Sequence, residues 1–276
     1  MTADIDGLNE AARYLRWDIL TMIHLAGEGH PGPALSAADL ITALYFKILN
    51  IDPQNPHWPK RDRFILSKGH ACPAVYAALA RRGFFSWDIC PTLRCLGSIL
   101  QGHPDMKKTP GIDSTSGSLG NGISIGLGMT LAARVNQEDY FTFVIAGDGE
   151  IEEGVVWEGA MAAAHYKAGR LIVFVDHNCM QSGGLVCDIT MLDPILPKWQ
   201  AFDWHCQEID GHDMGQIVTA VDNAKKEKFR PSMILANTIK GKGVPFIEGD
   251  NSWHKRTPTK EELALALEVL GGNARW

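Results

Sequence analysis

Two apolar segments, residues 141–146 (FTFVIA) and 171–176 (LIVFVD), are rich in β-branched and aromatic side chains. This pattern predicts strands that are buried on both faces, as in parallel sheets. Residues 151–168 between them have helical character, and Gly169 is a typical C-terminal stop. The order strand, helix, strand predicts a βαβ unit within a parallel sheet.

The rest of the chain continues the alternation of helices and strands. Apolar spacing predicts helices at residues 8–26, 37–49, 74–82, 123–135, 214–227 and 259–270, and strands at residues 64–66, 204–209 and 233–239. Ser36 is expected to cap the helix at 37–49. Segments rich in Gly, Pro and polar residues predict loops at 27–33, 97–122 and 179–197. We expect one α/β domain over residues 1–276, with a mostly parallel open sheet and helices on both faces.

The turn Gly147-Asp148-Gly149 follows the first of the two buried strands, and Asn178 follows the second. Open α/β sheets bind ligands at the carboxyl ends of their strands. Glycines there allow the backbone to approach a phosphate, and a helix N-terminus favours an anion. Asp148 and Asn178 supply the hard oxygen ligands that Mg²⁺ prefers. A GDG triplet alone is more often an ordinary turn, so the site depends on this placement.

Composition excludes several classes of protein. The net charge of −6 and the lack of a basic block argue against nucleic-acid binding. The six cysteines form no CxxC pair, so we expect free thiols rather than zinc ligands. The N-terminus lacks a signal-peptide apolar segment, and no apolar run is long enough to span a membrane. We therefore expect a cytoplasmic protein.

Four histidines lie in loops stiffened by Gly or Pro, or next to Trp: His30 in GHPG, His70 in SKGHA, His103 in QGHPD and His254 in NSWHK. Any one of them taken alone is most simply a loop histidine satisfied by a neighbour. Together they suit a polyhydroxylated substrate, because histidine near neutral pH can donate, accept or transfer a proton. The spacing of a zinc site is missing.

The segments GEGHPG, LSKGHA, LQGHPD, TPGID, TSGSLGNG, AGDGEIEEG, VDHN and IKGKGV occur in the order seen in transketolases. From about Leu8 to its end, the chain resembles the N-terminal section of this family, the module that binds the diphosphate of thiamine diphosphate. The resemblance implies the thiamine-diphosphate-binding α/β fold. It also implies the cofactors thiamine diphosphate and Mg²⁺, for which Ca²⁺ or Mn²⁺ can substitute.

The resemblance further implies a role for particular residues. Asp148 and Asn178 match the side-chain metal ligands, and Met180 matches a backbone carbonyl ligand. Catalytic or substrate-contacting roles fall to His30, His103, His254 and Glu153. Glu153 matches a glutamate that bonds across the subunit interface to the cofactor-activating glutamate, and it also suits the first turn of a helix. The residues expected at the cofactor are His70, Gly117, Ser118, Leu119, Gly147, Asp148, Gly149, Glu150, Asn178 and His254.

A full transketolase chain is more than twice as long, and the pyrimidine-binding and C-terminal domains are absent from this sequence. A natural split enzyme or a truncated fragment would each explain this, and we expect the split enzyme. Its partner would be a C-terminal transketolase subunit with the pyrimidine-binding domain, in a 2+2 heterotetramer. Lys255, Asn121 and the segment 182–184 depart from the family pattern. They bear on the choice of sugar more than on cofactor binding.

The resemblance implies transfer of a two-carbon ketol unit from a ketose, such as a sugar phosphate, to an aldose. One alternative is the α subunit of a 2-oxo acid dehydrogenase or decarboxylase, which shares the GDG and Asn pattern. Another is a non-catalytic cofactor-binding subunit. The GHPG, QGHPD and KGKG segments argue against the first alternative. The retained Asp148, Asn178, Glu153 and four histidines argue against the second.

Overall fold

Helices and strands alternate along residues 4–271, which are the residues that the computed structural model describes. The strands are β1 (Arg63–Leu66), β2 (Thr142–Gly147), β3 (Leu171–His177), β4 (Met180–Gln181), β5 (Gly184–Leu185), β6 (His205–Asp210) and β7 (Ser232–Asn237). The helices are α1 (Ile5–Ala26), α2 (Pro31–Ser36), α3 (Ala38–Ala43), α4 (Cys72–Arg82), α5 (Asn121–Val135), α6 (Gly154–His165), α7 (Val186–Ile189), α8 (Ile195–Ala201), α9 (Met214–Lys226) and α10 (Lys260–Val269). Short 3₁₀ turns lie at Gly69–Ala71, Trp87–Thr92, Gly149–Glu152 and Asn251–Trp253.

Five of the strands form one parallel sheet in the order β1-β2-β3-β7-β6. The short strands β4 and β5 form a separate antiparallel hairpin beside it. All four connections within the five-stranded sheet are crossovers that carry helices, as parallel pairing requires. The predicted α/β fold with a mostly parallel sheet is confirmed.

Side chains of the central strands alternate between two apolar cores, one on each face of the sheet. Ile172 and Phe174 of β3 pack in the core formed with α1, α3, α4 and α9. Val173 and Val175 pack in the core formed with α5, α6 and α8. This two-sided burial explains why the strands are continuous apolar runs without polar alternation.

Helix α1 begins at Ile5, earlier than predicted, because the Asp4 side chain accepts a hydrogen bond from the Gly7 amide at 2.9 Å. It ends at Ala26 and is capped by Gly27, whose φ of 69° is left-handed. Buried Asp18 on this helix pairs with Arg81 of α4. No helix within residues 4–271 is long and apolar enough to cross a membrane.

The segment after α1 differs from the prediction. A helix, α2, begins at Pro31 inside the predicted loop, because proline is favoured at the first helical position. Ser36 is the last residue of α2 and not the N-cap of the next helix. Its hydroxyl donates to the Asp176 carboxylate at 2.5 Å. The predicted helix at 37–49 is α3 followed by a π-helical turn at Leu44–Ile48.

Two other predicted elements are more divided than expected. The helix predicted at 151–168 is a 3₁₀ turn, Gly149–Glu152, followed by α6, which begins at Gly154. The loop predicted at 179–197 contains the β4–β5 hairpin, α7 and the start of α8. The loop predicted at 97–122 is irregular up to Gly120, the residue before α5.

The Phe174→Ala variant should have a free energy of unfolding about 3–5 kcal/mol lower than that of the wild-type protein, because Phe174 is fully buried in the central strand and its loss leaves a cavity. Urea unfolding of the purified chain measures the difference. Phe229→Ala is the matched control, since this side chain is 66% exposed, and it should change stability by less than about 0.5 kcal/mol. Equal effects of the two substitutions would contradict the two-core packing.

Candidate functional site

The predicted site residues gather at the carboxyl edge of the sheet. The loops after β1, β2, β3 and β7 meet there, because parallel strands end at the same edge. They surround a cavity of about 290 Å³. Twelve of the residues singled out from the sequence line it: His30, His70, His103, Gly117, Leu119, Gly147, Asp148, Gly149, Glu150, Asn178, Met180 and His254.

Two predicted residues lie elsewhere. Ser118 lines a neighbouring cavity of about 480 Å³, together with Ser67, Ser116 and Asn121, so the loop carrying Gly117 and Leu119 separates the two cavities. Glu153 lines neither cavity. It is exposed at the N-terminus of α6, and its carboxylate forms no hydrogen bond with residues 4–271.

A buried carboxylate joins the strand ends below the cavity. Asp176 of β3 is fully buried and pairs with the Lys68 ammonium at 2.5 Å. Ser36 and Thr238 donate to the same carboxylate. Burial opposes its charge, but Lys68 and the hydroxyl donors hold the pKa of Asp176 below its ordinary value. The Asn178 side-chain amide donates to Ser36 at 3.2 Å and so is attached to the same network.

Asp148 directly follows β2 and is almost completely buried. Its carboxylate accepts hydrogen bonds from the amides of Gly149 at 2.8 Å and Cys179 at 2.6 Å. Burial and the nearby charge of Asp176 raise the pKa of Asp148 to about 6. The Asn178 side-chain oxygen accepts from the Met180 amide at 3.1 Å. A buried carboxylate beside an amide oxygen is an arrangement that a divalent cation would stabilise.

Glycines allow the loops around the cavity to pack closely against one another. A Cβ on Gly69 would come within 2.7 Å of the Ser116 hydroxyl and 3.0 Å of the Gly117 amide nitrogen. A Cβ on Gly149 would come within 2.8 Å of the Gln181 Cβ. Within residues 4–271, the buried Ser116 hydroxyl and His30 Nδ1 have no hydrogen-bond partner. His30 lines this cavity and Ser116 lines the neighbouring one, so the unpaired His30 Nδ1 is the atom that fits a polar ligand here.

Glu150 supports the loops around the cavity. Its buried carboxylate accepts hydrogen bonds from the Ser67 hydroxyl and from the amides of Gly120 and Gly147, the last two at 2.8 and 2.9 Å. These donors belong to three separate segments of the chain. Although Glu150 lines the cavity, its oxygens are used to hold the protein loops in place.

The rings of His30, His70 and His254 form a cluster, with centroids 5.2–5.7 Å apart. Burial, followed by nearby positive charges, lowers the pKa of His30 to about 4 and that of His254 to about 3. Burial also lowers the pKa of His70, and partial desolvation followed by the charge of Arg94 lowers that of the more exposed His103. The sequence suggested histidines that titrate near neutral pH, but these rings are neutral at pH 7. They are therefore suited to donating or accepting hydrogen bonds without carrying charge.

Sequence reasoning assigned no site role to Pro33, Lys68, Gln181 and Ser182, which also line the cavity. It also missed Lys240, which donates to His254 Nδ1 at 2.9 Å. Lys68 lies in SKGHA, the segment singled out for His70, and Lys240 lies in IKGKGV, one of the segments shared with transketolases. A lysine beside a glycine at a strand end was the available signal.

Comparisons with known proteins identify the family of the chain. Residues 8–275 match the family model described as the thiamine diphosphate binding domain of transketolase. The chain is 47% identical to the 6-deoxy-6-sulfo-D-fructose transketolase subunit SqwG of Clostridium sp. strain MSTE9, over 95% of this chain and 96% of that protein. It is 39% identical to an apulose-4-phosphate transketolase subunit of Phocaeicola vulgatus, over 91% and 89% of the two chains.

Solved structures show the same fold. The transketolase of Campylobacter jejuni superposes with a TM-score of 0.93 at 30% identity, over 98% of this chain and 43% of that one. The transketolase of Leishmania mexicana superposes with a TM-score of 0.89 at 30% identity, over 98% and 42%. The chain thus spans about two fifths of these transketolases.

The fold and the site define a thiamine-diphosphate-binding α/β protein, and the chain belongs to the transketolase family. It corresponds to the N-terminal section of a thiamine-diphosphate-dependent transketolase. These matches favour a transketolase subunit over a 2-oxo acid dehydrogenase α subunit or a non-catalytic subunit.

The His30→Gln variant should lose less stability than the wild-type protein when the pH falls from 7 to 5. The pKa of His30 in the folded protein is about 4, below the ordinary 6.5, so the unfolded chain binds a proton that the folded state excludes. The stability contributed by neutral His30 is complete above pH 6.5 and is lost as the pH falls toward 4. Because the ring is partly solvated, we expect a difference of about 1 kcal/mol at pH 5.

Urea unfolding at both pH values measures this difference. His57→Gln is the control, because His57 is exposed and should leave the pH dependence unchanged. The same pH dependence in His30→Gln and the wild-type protein would contradict the burial effect.

Proposed function

We propose that the chain is the diphosphate-binding subunit of a two-chain transketolase. With its partner it transfers a two-carbon ketol unit from a ketose to an aldose, using thiamine diphosphate and Mg²⁺. The observation that carries the proposal is one cavity lined both by Asp148 and Asn178 and by a cluster of neutral histidines. One end of the cavity suits a metal and a diphosphate, and the other suits sugar hydroxyls.

The metal ligands would be the side-chain oxygens of Asp148 and Asn178 and the Met180 carbonyl. Within residues 4–271, no group of three His, Cys, Asp or Glu side chains could hold a metal ion alone. The remaining ligands would then be diphosphate oxygens and water, as is usual for Mg²⁺, which keeps several non-protein ligands. Ca²⁺ or Mn²⁺ could take the same oxygen ligands. The bound cofactor supplies an electron sink for cleavage of the carbon–carbon bond.

The remaining cavity residues would orient cofactor and sugar. Gly147, Gly149 and His70 would contact the diphosphate region, and Gly117 and Leu119 would lie on the side of the pyrimidine ring. Ser118, between them in the chain, lines the neighbouring cavity and would lie on the far side of this loop. Glu150 would hold these loops in place. His30, His103 and His254 would bind sugar oxygens. Because the named relatives are transketolases for a sulfonated and a phosphorylated sugar, we propose a sugar with an anionic terminus as the substrate class.

The partner would be a subunit that carries the pyrimidine-binding and C-terminal domains, while this chain forms one diphosphate-binding domain over residues 1–276. Glu153 is exposed and available to bond with a partner glutamate. Apolar side chains are also exposed on the neighbouring helices, including Ile125 and Val135 of α5 and Met161 of α6. A partner that covers these helices would bury both features. We propose a 2+2 heterotetramer located in the cytoplasm.

Combined with its pyrimidine-binding partner, thiamine diphosphate and Mg²⁺, the chain should convert a ketose phosphate or sulfonate and an aldose into two new sugars. Chromatography of the products measures the transfer. Release of CO₂ from a 2-oxo acid without sugar transfer would contradict the proposal and favour the dehydrogenase alternative. Omission of either subunit should abolish the reaction.

The Asp148→Ala variant of the complex should bind thiamine diphosphate at least tenfold more weakly in the presence of Mg²⁺, a loss of about 1.4 kcal/mol or more. The reason is that a charged metal ligand is missing. Isothermal calorimetry with and without Mg²⁺ measures the effect. Asp188→Ala, at an exposed position on α7, is the control. Unchanged affinity in Asp148→Ala would rule out the metal assignment.

The His103→Ala variant of the complex should reduce kcat/KM for the ketose by about tenfold or more while leaving cofactor affinity nearly unchanged. His103 is exposed at the cavity mouth, where it would contact the sugar and not the diphosphate. A lost hydrogen bond in a cavity costs about 1–3 kcal/mol. Steady-state kinetics and calorimetry separate the two effects, and equal losses of both would contradict a substrate role.

A further inference from the structure

Lys240 is a buried cation below the histidine cluster. It follows β7, and the whole residue is only 1% exposed. The Lys240 ammonium lies 2.6 Å from the Asn251 side-chain oxygen, 2.9 Å from His254 Nδ1 and 3.4 Å from the Gln181 carbonyl oxygen. Three acceptors therefore face three N–H bonds, as a buried ammonium requires.

The aliphatic stem of Lys240 is closely packed as well. A Cβ on Gly32 would come within 3.2 Å of the Lys240 Cγ and 3.0 Å of the Trp253 carbonyl oxygen. The Gly241 amide also donates to the Gly32 carbonyl at 3.1 Å. Gly32 thus leaves the space that the Lys240 stem fills. Because the stem is packed in this way, the ammonium stays close to these three acceptors.

This contact determines where His254 carries its proton. An ammonium only donates hydrogen bonds, so His254 Nδ1 must be the acceptor. In a neutral imidazole the proton is then on Nε2. Nε2 is the nitrogen that Lys240 leaves free, and the His254 ring lines the cavity beside His30 and His70.

We propose that Lys240 is a positioning residue that holds His254 as the neutral Nε2–H tautomer, so that His254 presents a hydrogen-bond donor to a substrate oxygen. The part concerning the substrate rests on the proposed function. The part concerning the tautomer is a property of this chain alone. His254 then binds a sugar oxygen without accepting its proton.

The charged groups around His254 agree with this assignment. Lys240 and Lys68 are the cations that act on it, and the other neighbouring titratable groups are His30 and His70. Burial and Lys240 lower the pKa of His254 to about 3, and burial and Lys68 lower the pKa of Lys240 to about 8. Between these values Lys240 is charged and His254 is neutral.

The tautomer can be measured on the chain alone by ¹⁵N NMR with labelled histidine, using His254→Gln to assign the signals. In the wild-type protein at pH 7, we expect the proton on Nε2 and an unprotonated Nδ1. In Lys240→Met the pKa of His254 should rise, because a neighbouring positive charge is lost, and the Nδ1–H form should appear. Lys240→Arg should keep the wild-type tautomer, since it keeps a cationic donor.

Lys242→Met is the matched control, because Lys242 is partly exposed and pairs with Glu248 instead of a cavity residue. It should leave the His254 signals unchanged. A proton on Nδ1 of His254 in the wild-type protein would overturn the proposal, and this outcome does not depend on the folding of any Lys240 variant. An unchanged tautomer and pKa in a folded Lys240→Met protein would also overturn it.

The kinetic test uses the complex with the partner subunit. Lys240→Met should lower kcat/KM for the ketose about tenfold while cofactor affinity stays within about twofold, and Lys240→Arg should restore part of the loss. Unchanged kinetics in Lys240→Met, together with an altered tautomer, would disprove the substrate role of the contact. If the wild-type complex transfers no ketol unit although His254 has the expected tautomer, the proposed function fails and the tautomer assignment stands.

Discussion

The ion pair between Asp176 and Lys68 is the contact on which the arrangement of the site depends. A fully buried carboxylate is strongly destabilising unless its charge is paired, and loss of one partner typically costs about 3–5 kcal/mol. Asp176 therefore fixes its donors: Lys68 after β1, Ser36 at the end of α2 and Thr238 after β7. His70 lies two residues after Lys68, and Lys240 lies two residues after Thr238. His30 lies at the opposite end of the helix that Ser36 ends.

The charged groups of this site and its uncharged aromatic hydrogen-bonding groups are different residues. Lys68, Lys240, Asp148 and Asp176 are the groups whose charges act on one another there. The clustered histidines are neutral, because the burial that packs their rings together disfavours protonation. A site organised in this way can hold a charged diphosphate at one end and uncharged hydroxyls at the other.

The sequence predicted those features that depend on local patterns. The uninterrupted apolar runs of β2 and β3 identified the parallel sheet, because burial on both faces leaves no polar positions. Asp148 and Asn178 could be predicted as neighbours because each follows an apolar run, and the end of such a run shows where its strand ends. The prediction of Ser36 as an N-cap was wrong. The local sequence around a serine before an apolar segment does not show whether its hydroxyl bonds the following helix or, as here, Asp176, which is 140 residues away. The lowered histidine pKa values depend on burial, which no local motif encodes.

The three hydrogen bonds accepted by Glu150 have a consequence for how such a protein can diverge. One carboxylate holds the bases of three cavity loops, at Ser67, Gly120 and Gly147. Among residues 4–271, neither the irregular stretch 97–116 nor the segment after the β4–β5 hairpin has a hydrogen bond to this carboxylate. Substitutions in these outer loops can therefore accumulate one at a time, while the three loop bases that share Glu150 must be inherited as a set.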